Sequence, residues 1–204
     1  MAHAATVHED VMHAPSQREA GAGVYNEKLG MWIFLGSEVM FFTSLIGSYL
    51  ILRFAHPESW TAPGKTLNIP VTAVNTFLLI CSSVTMVKAF AAAQDGIQKQ
   101  LRLWLLATVL IGATFVGVQV YEYTHLIEKG FIPSQGLYGS TFYTMTGFHG
   151  FHVTIGVLCM AFVTWRAFKG KYTATDHRGV EVIGLYWHFV DLVWIILFTI
   201  VYLI

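Results

Sequence analysis

Residues 140–168 read STFYTMTGFHGFHVTIGVLCMAFVTWRAF, 29 positions whose one formally charged residue, Arg166, stands near the far end. About 20 apolar residues rising 1.5 Å each cross a bilayer core of about 30 Å. The stretch is long enough to do so. It is continuously apolar rather than alternating, and far longer than a barrel strand. A chain in lipid must satisfy its own backbone hydrogen bonds, so the form predicted for it is a helix. Outward from it, four more stretches share the same character, over 29–54, 69–92, 101–123 and 182–204. Between them lie short connectors rich in turn residues and charge, such as Gln94-Asp95-Gly96 and Glu128-Lys129-Gly130. The sequence therefore predicts an all-α fold, an integral membrane bundle of five transmembrane helices over 29–204. A polar, mobile tail over 1–28 precedes it.

Composition agrees. Hydrophobic residues make up 55% and charged residues 12%, against about 25% charged in an ordinary soluble domain. Twelve Lys and Arg balance twelve Asp and Glu, which gives no reason to expect nucleic acid or an acidic substrate. Cys81 and Cys159 stand alone in apolar runs and read as small buried hydrophobes. The tail carries His3, His8 and His13, and a solvated segment is the expectation there rather than a metal site. The first apolar stretch starts near Leu29, too late for the core of a secretory signal.

Basic residues set the expected orientation. With the N-terminus inside, nine of the twelve Lys and Arg fall in inner segments and three, Arg53, Lys65 and Lys129, in outer ones. That excess predicts a cytoplasmic N-terminus and an external C-terminus. Trp32, Trp60, Trp104, Trp165 and Tyr202 fall near span ends, where interfacial anchors belong.

Ionisable groups inside a span are costly. Glu38 sits in the first span, and no basic residue of that span can pair with it. Glu122 and His125, His149 and His152, and His188 and Asp191 each stand at i, i+3, which places each pair on one helical face. Three readings compete: metal or heme ligation, a proton path, and interhelical hydrogen bonding worth about 0.6–2 kcal/mol each. No Glu-x-x-His companion of the kind a di-metal bundle uses accompanies the histidine pair. Gly147, Gly150 and Gly156 around that pair favour close helix contact, which suits the bonding reading.

SEVMFF at Ser37–Phe42, YEY at Tyr121–Tyr123, YGSTF at Tyr138–Phe142, TGFHGFHV at Thr146–Val153 and YWHFVDLVWI at Tyr186–Ile195 together resemble subunit III of the heme–copper oxidases. The resemblance covers the whole chain after the tail and implies a bundle packed on a catalytic subunit, without a redox centre or metal of its own. Heme and copper would belong to partner subunits: subunit I, subunit II and a small subunit IV. It implies support of proton uptake, protection from turnover-linked inactivation, and phospholipid bound between helices, in a bacterial plasma membrane. Glu38 matches the family's carbodiimide-reactive carboxylate. Glu122, His149, His152, His188 and Asp191 match its polar interior, and with His125 they are assigned a structural role. The seven-helix form has two further helices at its start, so this chain resembles the short bacterial form, with a face left for another subunit to cover. The likeness favours cytochrome c over quinol as the complex's electron donor. A subunit III-like protein of a nitric oxide reductase is a related reading. A small proton-coupled transporter using Glu38, Glu122 and Asp191 is the alternative from another class.

Overall fold

The structure is a computed structural model that describes residues 25–60, 67–134 and 136–203. Five helices dominate: α1 (Asn26–Ala55), α2 (Ile69–Gln94), α3 (Gln98–Glu128), α4 (Leu137–Phe168) and α5 (Arg178–Phe198), the last continuing as a π turn over Thr199–Leu203. All five are long and apolar enough to cross a membrane, and no strand occurs among the described residues. Several helices outrun the apolar stretches that mark them. α3 begins at Gln98 and runs to Glu128, taking in Lys99 at one end and His125 and Glu128 at the other. Hydropathy registers the part of a helix in hydrocarbon, whereas its ends continue into the polar headgroup layer. α1 likewise starts at Asn26, inside the segment assigned to the tail; residues 1–24, with their three histidines, lie outside the described residues.

Local sequence fixes the ends. Pro70 stands in the first turn of α2, where its missing N–H costs nothing. Gly96 and Gly130 follow α2 and α3 with φ of +71° and +82°. That left-handed step lets the Ile97 N–H reach the Ala92 carbonyl at 2.9 Å and the Phe131 N–H reach Leu126 at 3.0 Å, closing each helix.

Helices α2, α3, α4 and α5 pack in a ring, and α1 lies outside it in the seam between α4 and α5. Half of the most apolar stretch of α5 is buried within the chain, against 6% for α1. α5 is thus the central helix and α1 the peripheral one. The centre of the ring is filled by Trp187 and Trp194, both on α5 and almost wholly buried. Trp187 lies against two glycines. A Cβ at Gly112 on α3 would stand 2.7 Å from its Cη2, and one at Gly156 on α4 would stand 3.1 Å from its ring. Gly150 similarly makes room for the Gln119 amide, whereas a Cβ at Gly147 would meet nothing within 4 Å among the described residues. Glycine content marks where helices can meet, not which face turns toward the rest of this chain.

α2 and α5 run antiparallel along a ladder of hydrogen bonds. Trp194 Nε1 donates to Thr76 at 2.9 Å, Trp187 Nε1 donates to Ser82 at 2.9 Å, and Ser83 Oγ lies 2.5 Å from His188 Nδ1. Cys81 is half-buried, and Cys159 is exposed rather than buried as its apolar run suggested. Lipid receives a thiol as readily as a core does, so apolar neighbours in a span do not tell inside from outside.

Three clasps hold the sparsely packed α1. At its start Tyr25 Oη donates to Glu181 at 2.7 Å and Lys28 Nζ reaches the same carboxylate at 2.5 Å. Burial first, and then the bond to Glu181, hold the Tyr25 hydroxyl above its ordinary pKa, so it remains a donor. The second clasp pairs Glu38 with His152 at 3.0 Å. At the far end the Tyr49 ring meets Trp60, which meets Tyr138 of α4. Glu181→Ala should loosen the first clasp alone, at a cost of about 1 kcal/mol given its partial exposure. Amide exchange should then quicken over residues 26–31 and stay unchanged near His152; equal exchange at both places would refute the independence of the clasps.

Candidate functional site

Glu38 and His152 meet where α1 crosses α4. Their side chains are 16% and 13% exposed, and Glu38 Oε2 lies 3.0 Å from His152 Nε2, though short of an aligned hydrogen bond. The other ring nitrogen, Nδ1, lies 2.7 Å from the Phe148 carbonyl. A carbonyl only accepts, so Nδ1 carries a hydrogen and the tautomer is fixed. One proton then remains for the facing atoms, held either by the carboxyl against a neutral imidazole or by Nε2 against a carboxylate. The missing partner of Glu38 is therefore supplied by another helix. Phe42 sits edge-on to the imidazole at 5.1 Å, and Tyr186 Oη donates to the His152 carbonyl at 2.9 Å, fastening α5 to the same point.

His149 is one helical turn away and points elsewhere. It is fully buried, its Nε2 donates to the Val190 carbonyl at 3.2 Å, and its ring stacks on Trp194 at 4.8 Å. Its Nδ1 has no hydrogen-bond partner among the described residues. The two histidines share a face in sequence, yet they bond different helices and do not converge on a common ligand.

Glu122 is 7% exposed and takes a hydrogen bond from Thr72 at 3.0 Å and a long one from Tyr202 at 3.4 Å. It so ties α3 to α2 and to the π turn that ends α5. His125 departs from the expectation of an interior residue. Its side chain is 46% exposed, stacks on Tyr121, and lies 3.8 Å from Glu128. Three residues is 300° of helix, and the 60° that remain carry it out of the bundle.

His188 bonds Ser83 across the α2–α5 seam and is half-buried. Asp191 is buried, and neither carboxyl oxygen has an aligned hydrogen bond among the described residues. Residues that sequence reading missed are Ser83, Thr72, Thr76 and Ser82 on α2. Their signal was present as a stripe of hydroxyls at helical spacing along an otherwise apolar helix.

Among the described residues no three His, Cys, Asp or Glu side chains stand close enough to hold a metal ion. The polar groups instead lie at separate crossings, each linking two or three helices. Such an arrangement can fix helix register and hold protons locally, whereas a catalytic centre needs its groups gathered around one reacting atom. A groove of about 670 Å³ opens where α1, α4 and α5 meet, lined by apolar residues such as Phe162 and Ile183 and edged by Arg166 and Lys171 and by Arg178, which is paired with Glu27 and Asp176 on the same rim.

The family model described as Cytochrome c oxidase subunit III matches residues 8–204. A cytochrome c oxidase subunit 3 of Thermostichus vulcanus is 42% identical over 176 residues, covering 86% of both chains. One from Synechocystis sp. is 43% identical over 176 residues, 85% of this chain and 74% of its own. A cytochrome bo(3) ubiquinol oxidase subunit 3 of Pseudomonas aeruginosa is 35% identical over 202 residues, 98% of this chain and 94% of its own.

Proposed function

Because the chain belongs to the cytochrome c oxidase subunit III family, we propose that it is the non-catalytic third subunit of a proton-pumping terminal oxidase in aerobic respiration. Its work is to stabilise the catalytic subunit and sustain that subunit's proton uptake. The observation that carries the reading is the dispersal of Glu38, Glu122, His149, His152 and Asp191 over separate helix crossings. Membership of a heme–copper oxidase complex follows from the family and sets aside the transporter reading. Within that complex the partners proposed are the catalytic subunit I, subunit II and a small subunit IV. The donor proposed is cytochrome c, on the likeness of SEVMFF, YGSTF and TGFHGFHV to that version of the family. A relative named as a ubiquinol oxidase subunit makes the donor a point for direct assay. The orientation proposed has a cytoplasmic N-terminus, because nine of the twelve Lys and Arg then fall in inner segments. With Arg166 and Lys171 at its edge and an apolar lining, the groove suits the phosphate and acyl chains of a bound phospholipid.

The test is an absorption spectrum of the gently solubilised complex captured through this chain. Heme a or heme o should co-purify, and reduced cytochrome c should be oxidised faster than quinol. Capture of the intact chain without any heme would refute the oxidase reading; faster quinol oxidation would refute the donor.

Glu38→Gln bears on the role of the pair. A glutamine amide can face Nε2 in place of the carboxyl, so assembly and initial turnover should stay within about twofold of wild type, since neutral replacement of one hydrogen-bond partner costs little when the bond is kept. Initial turnover at background would show Glu38 to be required for the chemistry itself.

A further inference from the structure

The groove between α1, α4 and α5 has one wall unlike the others. α4 and α5, both set in the ring, supply most of its lining, whereas α1 contributes Glu27 and Met31. α1 is anchored well beyond that point. Its buried residues are Phe42 and Tyr49, and the Glu38–His152 clasp stands just before them. Residues 26–37 precede the clasp and span about 18 Å. Over that length the apolar support comes from Met31, Leu35 and Phe34, whose ring lies 6.2 Å from that of Tyr186. Leu29, Trp32 and Ile33 are turned outward, between 47% and 69% exposed.

What holds the start of α1 is polar and converges on the first turn of α5. Tyr25 Oη donates to Glu181 at 2.7 Å, and Lys28 Nζ reaches the same carboxylate at 2.5 Å. Glu27 lies 3.6 Å from Arg178, which Asp176 holds in turn at 3.1 Å. The Lys28 and Glu181 side chains are 23% and 19% exposed, and those of Arg178 and Glu27 more than half. Pairs so placed are weak one by one. Salt screens them, since the Debye length falls from about 10 Å near ~0.1 M to about 3 Å near ~1 M. Burial of Phe42 and Tyr49 is not weakened in that way. Salt therefore acts on one end of α1 and spares the other.

We propose that residues 26–37 are a strap along the groove, pivoting where Glu38 and Phe42 meet His152 of α4 and latched by Glu181 and Arg178. Latched, the strap walls the groove and confines the acyl chain inside it. Unlatched, its start swings outward and the chain exchanges with the surrounding bilayer. Glu181 is the key of the latch, because two of the contacts end on its carboxylate. The movement rests on the latch and the pivot alone; the identity of its cargo rests on the phospholipid reading above.

The experiment uses the assembled complex in bilayers of native lipid. Spin labels are placed at exposed Leu29 and Phe168 through Leu29→Cys and Phe168→Cys, with Cys81→Ser and Cys159→Ser to leave no other thiol in this chain. Pulsed dipolar spectroscopy should give one distance at low salt and a second, different one that grows at high salt. Glu181→Ala should raise the share of the second distance at low salt by about fivefold, the weight of one partly exposed ion pair. Separately, a phospholipid with a photoreactive acyl chain is added to chains without spin labels and illuminated at intervals. Its attachment to Val163 and Ile183, groove residues only 8% exposed, reads entry. Entry should quicken about fivefold in Glu181→Ala, in step with the open population. One unchanged distance in wild type at both salts and in Glu181→Ala would overturn the strap. A moving strap with equal rates of entry in wild type and variant would overturn its part in closing the groove. A moving strap with no attachment at Val163 or Ile183 in either would instead bring down the phospholipid reading, which keeps the failures apart.

Discussion

Trp187→Ala should destabilise the bundle by about 3–5 kcal/mol, the range for deleting a buried large aromatic side chain. The ring fills the space left by Gly112 and Gly156, and its Nε1 donates to Ser82 at 2.9 Å. Removing it opens a void enclosed by three helices, which lipid cannot enter, and orphans the serine hydroxyl as an acceptor. Gly112→Leu should be harmful from the opposite side, since its Cβ already falls 2.7 Å from the Trp187 ring. Combined, the two changes should cost less than their sum, with a favourable coupling of about 0.5–3 kcal/mol, because the leucine enters the void the tryptophan left. Thermal unfolding of the solubilised protein, followed by near-ultraviolet signal or by loss of soluble material, measures all three. Strict additivity would mean that Trp187 and Gly112 are not in contact.

His152→Leu should cost about 1–3 kcal/mol, because it leaves the Glu38 carboxyl facing the site with no partner from this chain. Glu38→Leu should do similar harm by stranding Nε2. The double leucine variant should fall well short of the sum, since replacing both members by apolar groups removes the unmet polarity along with the bond. The measurement is the same unfolding assay, joined to the lifetime of activity during sustained turnover. If the pair serves chiefly to hold α1, activity lifetime should follow stability across the three variants. A double variant as stable as wild type that nevertheless loses activity early would assign the pair a part in proton uptake beyond holding the helix.

Much of the fold is legible in the sequence because lipid imposes a simple rule. A run such as 140–168 has to be a helix, and glycine after a charged turn marks where it stops, as Gly96 and Gly130 do. Helix neighbours are another matter. Nothing in the spacing of His149 and His152 tells that one meets Val190 on α5 and the other Glu38 on α1. Each imidazole lies near one side of a shared face, and 60° of rotation is enough to separate their partners. The same rotation carries His125 outward and leaves Glu122 inside. Gly112, unremarked in an apolar run, proves to seat the largest side chain of the core, while Gly147, beside the histidine motif, seats nothing. Those outcomes depend on which helix lies opposite, and pairing of helices in lipid is decided by close packing that one-dimensional patterns do not carry.

The clasp between Glu38 and His152 also sets an order of events during synthesis. The two residues are separated by 114 positions, so at about 5–20 residues per second the ribosome reaches the histidine about 6–23 s after the glutamate. Throughout that interval α1 has neither α4 nor α5 to rest on, and the carboxyl must travel into the bilayer or wait beside the insertion machinery without its mate. The helix can wait because its outward side chains, Ile33, Met40, Ile51 and Phe54 among them, are at ease in lipid. Its capture is then a late step of biogenesis, timed by the arrival of the last two spans.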